Sequence, residues 1–277
     1  MKKTVGAIII LALAATPAAA GFPGDVPDRV QVTFGGIVAT VDTQASAGKT
    51  RGGIGGTIVF EDFFNLPITN RTGFLNGSWR IGGRHYLDFG WLNIDRSGSR
   101  ILEEDKEFKG YTFLSGAEVT GGLDSAFPYA AYRYDFLQLD QVKISGSAGI
   151  SYIDLASFLA ADGGVLDPDG NLITGAKKVE MAIGLPVPLI GFQLDWALSR
   201  RNSLVFYGRL IYVDISGLRA GVTNQSYHYY FHATKHFAIG AGFDRISIDI
   251  PKYVKEDQYA TFSYKLSGAS IYGKLSF

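Results

Sequence analysis

Four histidines are the first candidates for chemistry in this 277-residue chain. His228 and His232 stand at i and i+4. On a helix that spacing brings two imidazoles to one metal ion. On an extended strand, at ~3.3 Å per residue, it leaves them about 13 Å apart, too far to share one. The flanking run Tyr227 to His232 alternates as a strand does, so no metal is expected there. His85 and His236 fall near turns. The carboxylates Glu61, Asp62, Asp95, Asp154, Asp214 and Asp249 fall near the far ends of strands, where no histidine is placed to pair with them. Asp167-Pro168-Asp169-Gly170-Asn171 alternates oxygen ligands as a calcium loop does. Its glycine is at the fourth place and its twelfth residue is Lys178, so a Pro-Asp-Gly turn at a loop tip explains it better. Gly52 to Gly56 is not followed by a helix and reads as loop, not as a phosphate cradle. There is no G-x-S-x-G, H-E-x-x-H or Walker motif. Cofactors are expected to be none.

Composition narrows the class. The chain carries 35 Gly, 19 Phe, 15 Tyr, 3 Trp and no Cys, and its 26 basic residues balance its 26 acidic ones. A neutral chain without basic clusters offers no field for nucleic acid, and the lack of Cys excludes a disulfide scaffold. At the N-terminus, Lys2 and Lys3 precede the apolar run Gly6 to Ala15, and Ala18-Ala19-Ala20 follows. That is the pattern of a secretory leader. Two regions are expected: residues 1–20 as a signal peptide and 21–277 as the mature domain.

After the leader no apolar run is long enough for a spanning helix; Met181 to Phe192 is broken by Pro186 and Pro188. Period-2 alternation recurs instead. Expected strands are Arg29–Thr43, Phe74–Ile81, His85–Arg96, one ending in Tyr132, Tyr134 and Phe136, and Val142–Leu155. They continue with one ending in Phe192, Leu194 and Trp196, then Ser203–Ser216, one around Tyr227–His232, Phe237–Ile250 and Tyr259–Phe277. Short turns near Gly82–Arg84, Gln138–Gln141, Ser199–Asn202 and Thr234–His236 alternate with long loops at Gln44–Thr72, Ser97–Gly116, Ala156–Lys177 and Pro251–Gln258. These strands are longer than sandwich strands, and their apolar faces carry aromatics near the ends, as membrane girdles do. The fold class expected is all-β: a single transmembrane antiparallel up-and-down β-barrel of about ten strands, with eight or twelve as alternatives.

Counting back from the end, Phe277, Leu275, Gly273, Ile271 and Ala269 share one uncharged face. A terminal Phe preceded by alternating apolar residues resembles the assembly signal of Gram-negative outer-membrane β-barrel proteins. In architecture the chain is generally similar to small OmpW-type or porin-like barrels. The resemblance implies outer-membrane localisation, contact with outer-membrane lipid and lipopolysaccharide, and recognition of Phe277, Leu275 and Ile271 by the barrel assembly machinery. No nucleic-acid partner is expected.

Ten strands ~4.8 Å apart and tilted ~40° enclose a backbone radius of roughly 10 Å. By parity the lumen holds Arg80, Asp88, Arg133, Asp135, Lys143, Asp195, Arg209, His228, His232 and Lys274. Mixed signs in confined space favour an ion-pair network over a wide channel, with Arg209 and Asp195 expected in one constriction with Arg133 and Asp135. The function expected is a narrow or plugged pore, or an envelope-structural or ligand-interaction protein, and not an enzyme. The alternative is a surface-facing outer-membrane hydrolase acting on lipopolysaccharide or peptides.

Overall fold

The computed structural model describes residues 28–49, 56–108, 110–215, 218–255 and 258–277. The expected signal peptide and residues 52–55 of the glycine run lie outside these. The described chain is almost entirely strand: β1 Val30–Lys49, β2 Gly56–Val59, the short helix α1 Phe60–Phe63, β3 Thr69–Gly82, β4 His85–Ile101, β5 Lys106–Phe108, β6 Tyr111–Phe113, β7 Glu118–Ala126, β8 Tyr129–Gln138, β9 Val142–Asp162, β10 Val165–Leu166, β11 Leu172–Ile173, β12 Ala176–Ala197, β13 Asn202–Ile215, β14 Leu218–His232, β15 Phe237–Lys255 and β16 Gln258–Ser276.

Every ladder is antiparallel, and the long strands pair with their sequence neighbours in an up-and-down order. The first strand also meets the last, from Gln31 opposite Ser276 to Lys49 opposite Gln258. β9 pairs with β12 from Asp162 opposite Ala176 to Val142 opposite Trp196. The sheet is therefore ring-like. β7 and β8 share one slot between β4 and β9, divided at Phe127-Pro128. Pro128 has no N–H for the ladder. Its carbonyl still accepts from Tyr152 at 2.9 Å and Phe127 donates to Leu92 at 2.9 Å, so the interruption costs little pairing.

Two-residue alternation decides which side chains face out. On β1, Val30, Phe34 and Val38 are exposed while Thr33, Ile37, Ala39 and Val41 are buried. On β14, Tyr227 is exposed against buried His228, Tyr230 and His232. Near the end of the ring that carries both ends of the described chain, the outward positions are apolar: Phe34, Leu75, Phe89, Trp91, Ile150, Phe192, Leu210, Tyr227, Phe243 and Ile271 are all exposed. Further along the strands the same in-and-out alternation holds but the polarity of the two faces inverts. Thr40 and Asp42 face out while Val41 and Thr43 are buried, and Arg245 faces out while Ile246 and Ile248 are buried.

Short turns join β3 to β4, β8 to β9, β12 to β13 and β14 to β15 at the end where Val30 and Phe277 exchange hydrogen bonds of 3.0 and 2.8 Å. Gly83, at φ 47°, turns the first of them. At the opposite end the loops are shorter than expected. Gln44–Lys49 stay in β1, Thr69–Thr72 in β3, Ser97–Ile101 in β4, Ala156–Asp162 in β9 and Pro251–Lys255 in β15. Outward polar residues such as Gln44, Arg71, Ser97 and Ser99 mark strand that runs on past the apolar belt, because pairing still satisfies each backbone group. The connections beyond carry a second sheet of four short strands, ordered β11, β10, β6, β5.

Candidate functional site

The inward residues divide by height. Toward the short turns they are polar. Arg133 on β8 is the hub: its Nε donates to Asp88 at 2.8 Å, one terminal nitrogen to Asp135 at 3.0 Å and the other to Ser78 at 3.0 Å. Its guanidinium also lies 4.0 Å from the Tyr86 ring. Asp135 is fully buried and accepts further from Ser145 at 2.6 Å and Gln138 at 2.9 Å. A carboxylate out of water needs this many donors.

Toward the loop end the interior is apolar. Ile37, Val41, Ile94, Val119, Leu159, Val187, Ile246 and Leu266 form one buried cluster. Into it fold Phe60 and Phe64, from α1 and the residue after it, with Leu66 close behind. Their seat is a cross-strand pair of glycines, Gly98 on β4 and Gly121 on β7. A β-carbon on Gly98 would meet the Asn65 carbonyl oxygen at 1.8 Å, and one on Gly121 would meet the Phe64 ring at 2.3 Å. Asn65 turns the chain there at φ 52° and donates from Nδ2 to the Ser99 carbonyl at 2.6 Å. One ion pair accompanies this apolar insertion: Arg96 donates to Glu61 at 2.6 Å and to Thr43 Oγ1 at 2.7 Å, while the Thr43 amide donates to Glu61 at 3.0 Å.

Between the two zones lies an internal cavity of about 170 Å³. Its polar wall includes Asp88, Arg133, Asp195, Arg209, His228 and Lys274, and its apolar wall includes Ile37, Phe127, Ile153, Leu189, Val222 and Ile246.

Of the expected lumen charges, the structure gathers Asp88, Arg133 and Asp135. Arg80 stands apart at the turn end, paired with Asp28 at 2.9 Å; Lys143 reaches the same Asp28 at 3.9 Å. Asp195 and Arg209 line one cavity without pairing to each other. Arg209 lies 3.9 Å over the Tyr129 ring, and Asp195 accepts from Gln193 at 2.8 Å. This differs from the expected constriction because an aromatic wall occupies the place foreseen for a counter-ion. The two strand histidines have separate partners, His228 with Asp244 at 3.0 Å and His232 with Ser203 at 3.1 Å. Phe277 and Ile271 face outward and are well exposed, with Leu275 between them on the same face.

Among the described residues no group of three or more His, Cys, Asp or Glu side chains could hold a metal ion. Asp167 instead accepts from the amides of Asn171 at 2.8 Å and Asp169 at 3.0 Å. Those bonds, the Asn171 amide first, hold its carboxyl below the usual carboxylate range, as in a turn. Of the other carboxylates foreseen near the rim, Glu61 is buried against Arg96, and Asp249 accepts from Ser247 and Ser263.

No family model and no curated protein matches the sequence. Among solved structures, the chain is similar to the outer membrane protease OmpT from Escherichia coli at 11% identity, over 89% of this chain and 97% of that one, with a TM-score of 0.47. It is similar at 11% identity to the translocator domain of autotransporter NalP from Neisseria meningitidis, over 94% and 90%, with a TM-score of 0.47. A third is the P. putida toluene transporter TodX, at 9% identity over 94% of each chain and a TM-score of 0.34. The chain resembles Gram-negative outer-membrane β-barrel proteins. Likenesses this distant carry no function across, and the site has to be read from its own residues.

Several of those residues escape a reading by composition. Asp244, Tyr207 and Tyr230 line the cavity, and Thr43, Arg96 and Asn65 anchor the inserted segment. For the tyrosines the signal was parity: Tyr207 shares its strand's inward phase with Arg209, and Tyr230 with His228 and His232. Asp244 stands on a strand to which no lumen residue was assigned. For Arg96 and Glu61 no signal was available, since their pairing depends on a turn that brings residue 61 back inside the ring.

Proposed function

We propose that the chain is an integral outer-membrane protein, a closed barrel of ten staves with β7 and β8 counted as one, and that its lumen is plugged instead of open. Short turns and both ends of the described chain face the periplasm; the loops and the second sheet face outside. Export by the leader expected over residues 1–20 belongs to the same reading. The protein serves as a narrow, normally closed pore or a ligand-interaction barrel, not as an enzyme. The rival hydrolase reading lacks a histidine beside the outer carboxylates among the described residues.

The observation that carries this is the inversion of polarity along the strands. About eight residues of most strands have an apolar outer face, which at ~3.3 Å per residue and a tilt near 40° spans roughly 20–25 Å, the height of an outer-membrane apolar band. Above it the outer face turns polar and the inner face apolar, where Phe60, Phe64 and Leu66 fill the interior. Purified protein in a planar bilayer should insert without steady conductance. A steady ohmic pore in the wild-type protein would overturn the plugged reading.

A further inference from the structure

We infer that the internal cavity binds a small single-ring aromatic carboxylate, its acid group on Arg209 and its ring among the apolar residues above; the inference rests on the plugged-barrel reading.

Arg209 is a cation without an ionic partner. Among the described residues no carboxylate lies within 4 Å of it, whereas Arg133, Arg80 and Arg96 each have one. It stacks on Tyr129 at 3.9 Å and faces Tyr207 at 5.8 Å. Tyr129 covers a face of the guanidinium and takes one hydrogen bond from it, which leaves the remaining N–H donors for an acceptor of two-oxygen geometry. Lys274, on the same cavity, also has no carboxylate within 4 Å among the described residues; it lies 5.0 Å from the Tyr230 ring. Asp195 on that wall is engaged by Gln193. Partly desolvated cations of this kind gain most from a ligand that brings a negative charge.

The register places apolar surface directly above that cation. Arg209 pairs with Gly191 on β12 and Asn224 on β14. Two residues further toward the loop end on those strands are Leu189 and Val222, both buried and both on the cavity wall, and Ile246 pairs with Asn224. Gly191 makes room for the Arg209 stem and the Ser147 hydroxyl, which a β-carbon there would meet at 3.2 and 2.4 Å. A molecule with an acid group at Arg209 therefore has its body against Leu189, Val222 and Ile246, with Ile37 and Ile153 across the cavity.

The volume admits one ring. At about 170 Å³ the space is close to the ~150 Å³ of an apolar cavity known to hold benzene. Phe74, Phe127, Tyr129 and Tyr207 on its walls offer ring faces and edges for offset or edge contacts.

The test is equilibrium binding of benzoate, benzamide and benzylamine to the full-length protein in lipid nanodiscs. Benzoate should bind at least 10-fold more tightly than its neutral isostere benzamide, and benzylamine most weakly. Arg209→Gln should abolish the preference for benzoate while leaving benzamide binding within about twofold. Because the three-ligand comparison uses wild-type protein, it does not depend on that variant folding. Equal affinity for benzoate and benzamide, or no benzoate binding by folded protein, would overturn the inference. If the preference is lost in a protein that does not conduct, the site is wrong and the plug stands. Steady conductance with the preference retained would have the opposite meaning.

Discussion

The guanidinium of Arg96 on β4 meets the carboxylate of Glu61 on α1 at 2.6 Å, with side chains 0% and 8% exposed. The contact joins the wall of the ring to the segment folded inside it, at a height where the interior is largely apolar. Removing one partner leaves the other charged and buried, which costs about 3–5 kcal/mol. Glu61→Gln should therefore lower the melting temperature. It should also free the inserted segment, detected as new chymotryptic cleavage at Phe60, Phe63 or Phe64 and as brief conductance bursts. Replacing both, as Glu61→Leu with Arg96→Met, should recover part of the stability. Unchanged melting and cleavage in Glu61→Gln would show that the pair does not hold the segment.

The glycine seat gives an independent handle on the same segment. At Gly98 a β-carbon would overlap the Asn65 backbone oxygen at 1.8 Å, so Gly98→Ala must displace the turn, with a cost of about 1–3 kcal/mol expected for overpacking. At Gly36, on the outward face, the nearest atom to a β-carbon is 3.7 Å away. Gly36→Ala should leave thermal unfolding and proteolysis near wild type. Equal melting of the two variants would contradict this placement of Asn65.

Arg133 serves two carboxylates at once. Arg133→Gln should destabilise the ring by several kcal/mol, because Asp88 and fully buried Asp135 lose their cation together. Adding Asp135→Asn should return part of that loss, since one uncompensated charge is removed. A double variant no more stable than the single one would place the penalty in lost packing against Tyr86.

Much of this architecture was legible from period-2 alternation, and the reason it failed in places is physical. Tyr227 to His232 read correctly because that stretch lies wholly within the apolar belt, where apolar means outward. On β1 the same rule leads astray after Val38. Ile37 and Val38 are both apolar, and beyond them Val41 points in while Asp42 points out. Alternation persists there, but on the membrane-barrel reading proposed above its surroundings change from lipid to water, so the polar residues mark the outside. That shift made continuing strand look like loop at Gln44 and Ser97. It also concealed the apolar upper interior, and with it the reason for the Phe60-Glu61-Asp62-Phe63-Phe64 run.

Phe277 makes few side-chain contacts, being 59% exposed, though its backbone completes the ladder with Val30 at 2.8 and 3.0 Å. If its ring is read during assembly, deleting Phe277 should reduce outer-membrane yield far more than it lowers the melting of the protein that does insert. Insertion at the native level by the truncated chain would count against its role as a signal.

All three tryptophans bear on whether the outward belt faces lipid. Trp79, Trp91 and Trp196 lie on three different strands, on the outward face, at 49%, 57% and 46% exposure. In bilayers of phospholipid brominated along the acyl chains, their fluorescence should be strongly quenched, while aqueous iodide should quench it weakly. Weak quenching by bromine together with strong quenching by iodide would place those faces in water and contradict the membrane-barrel account.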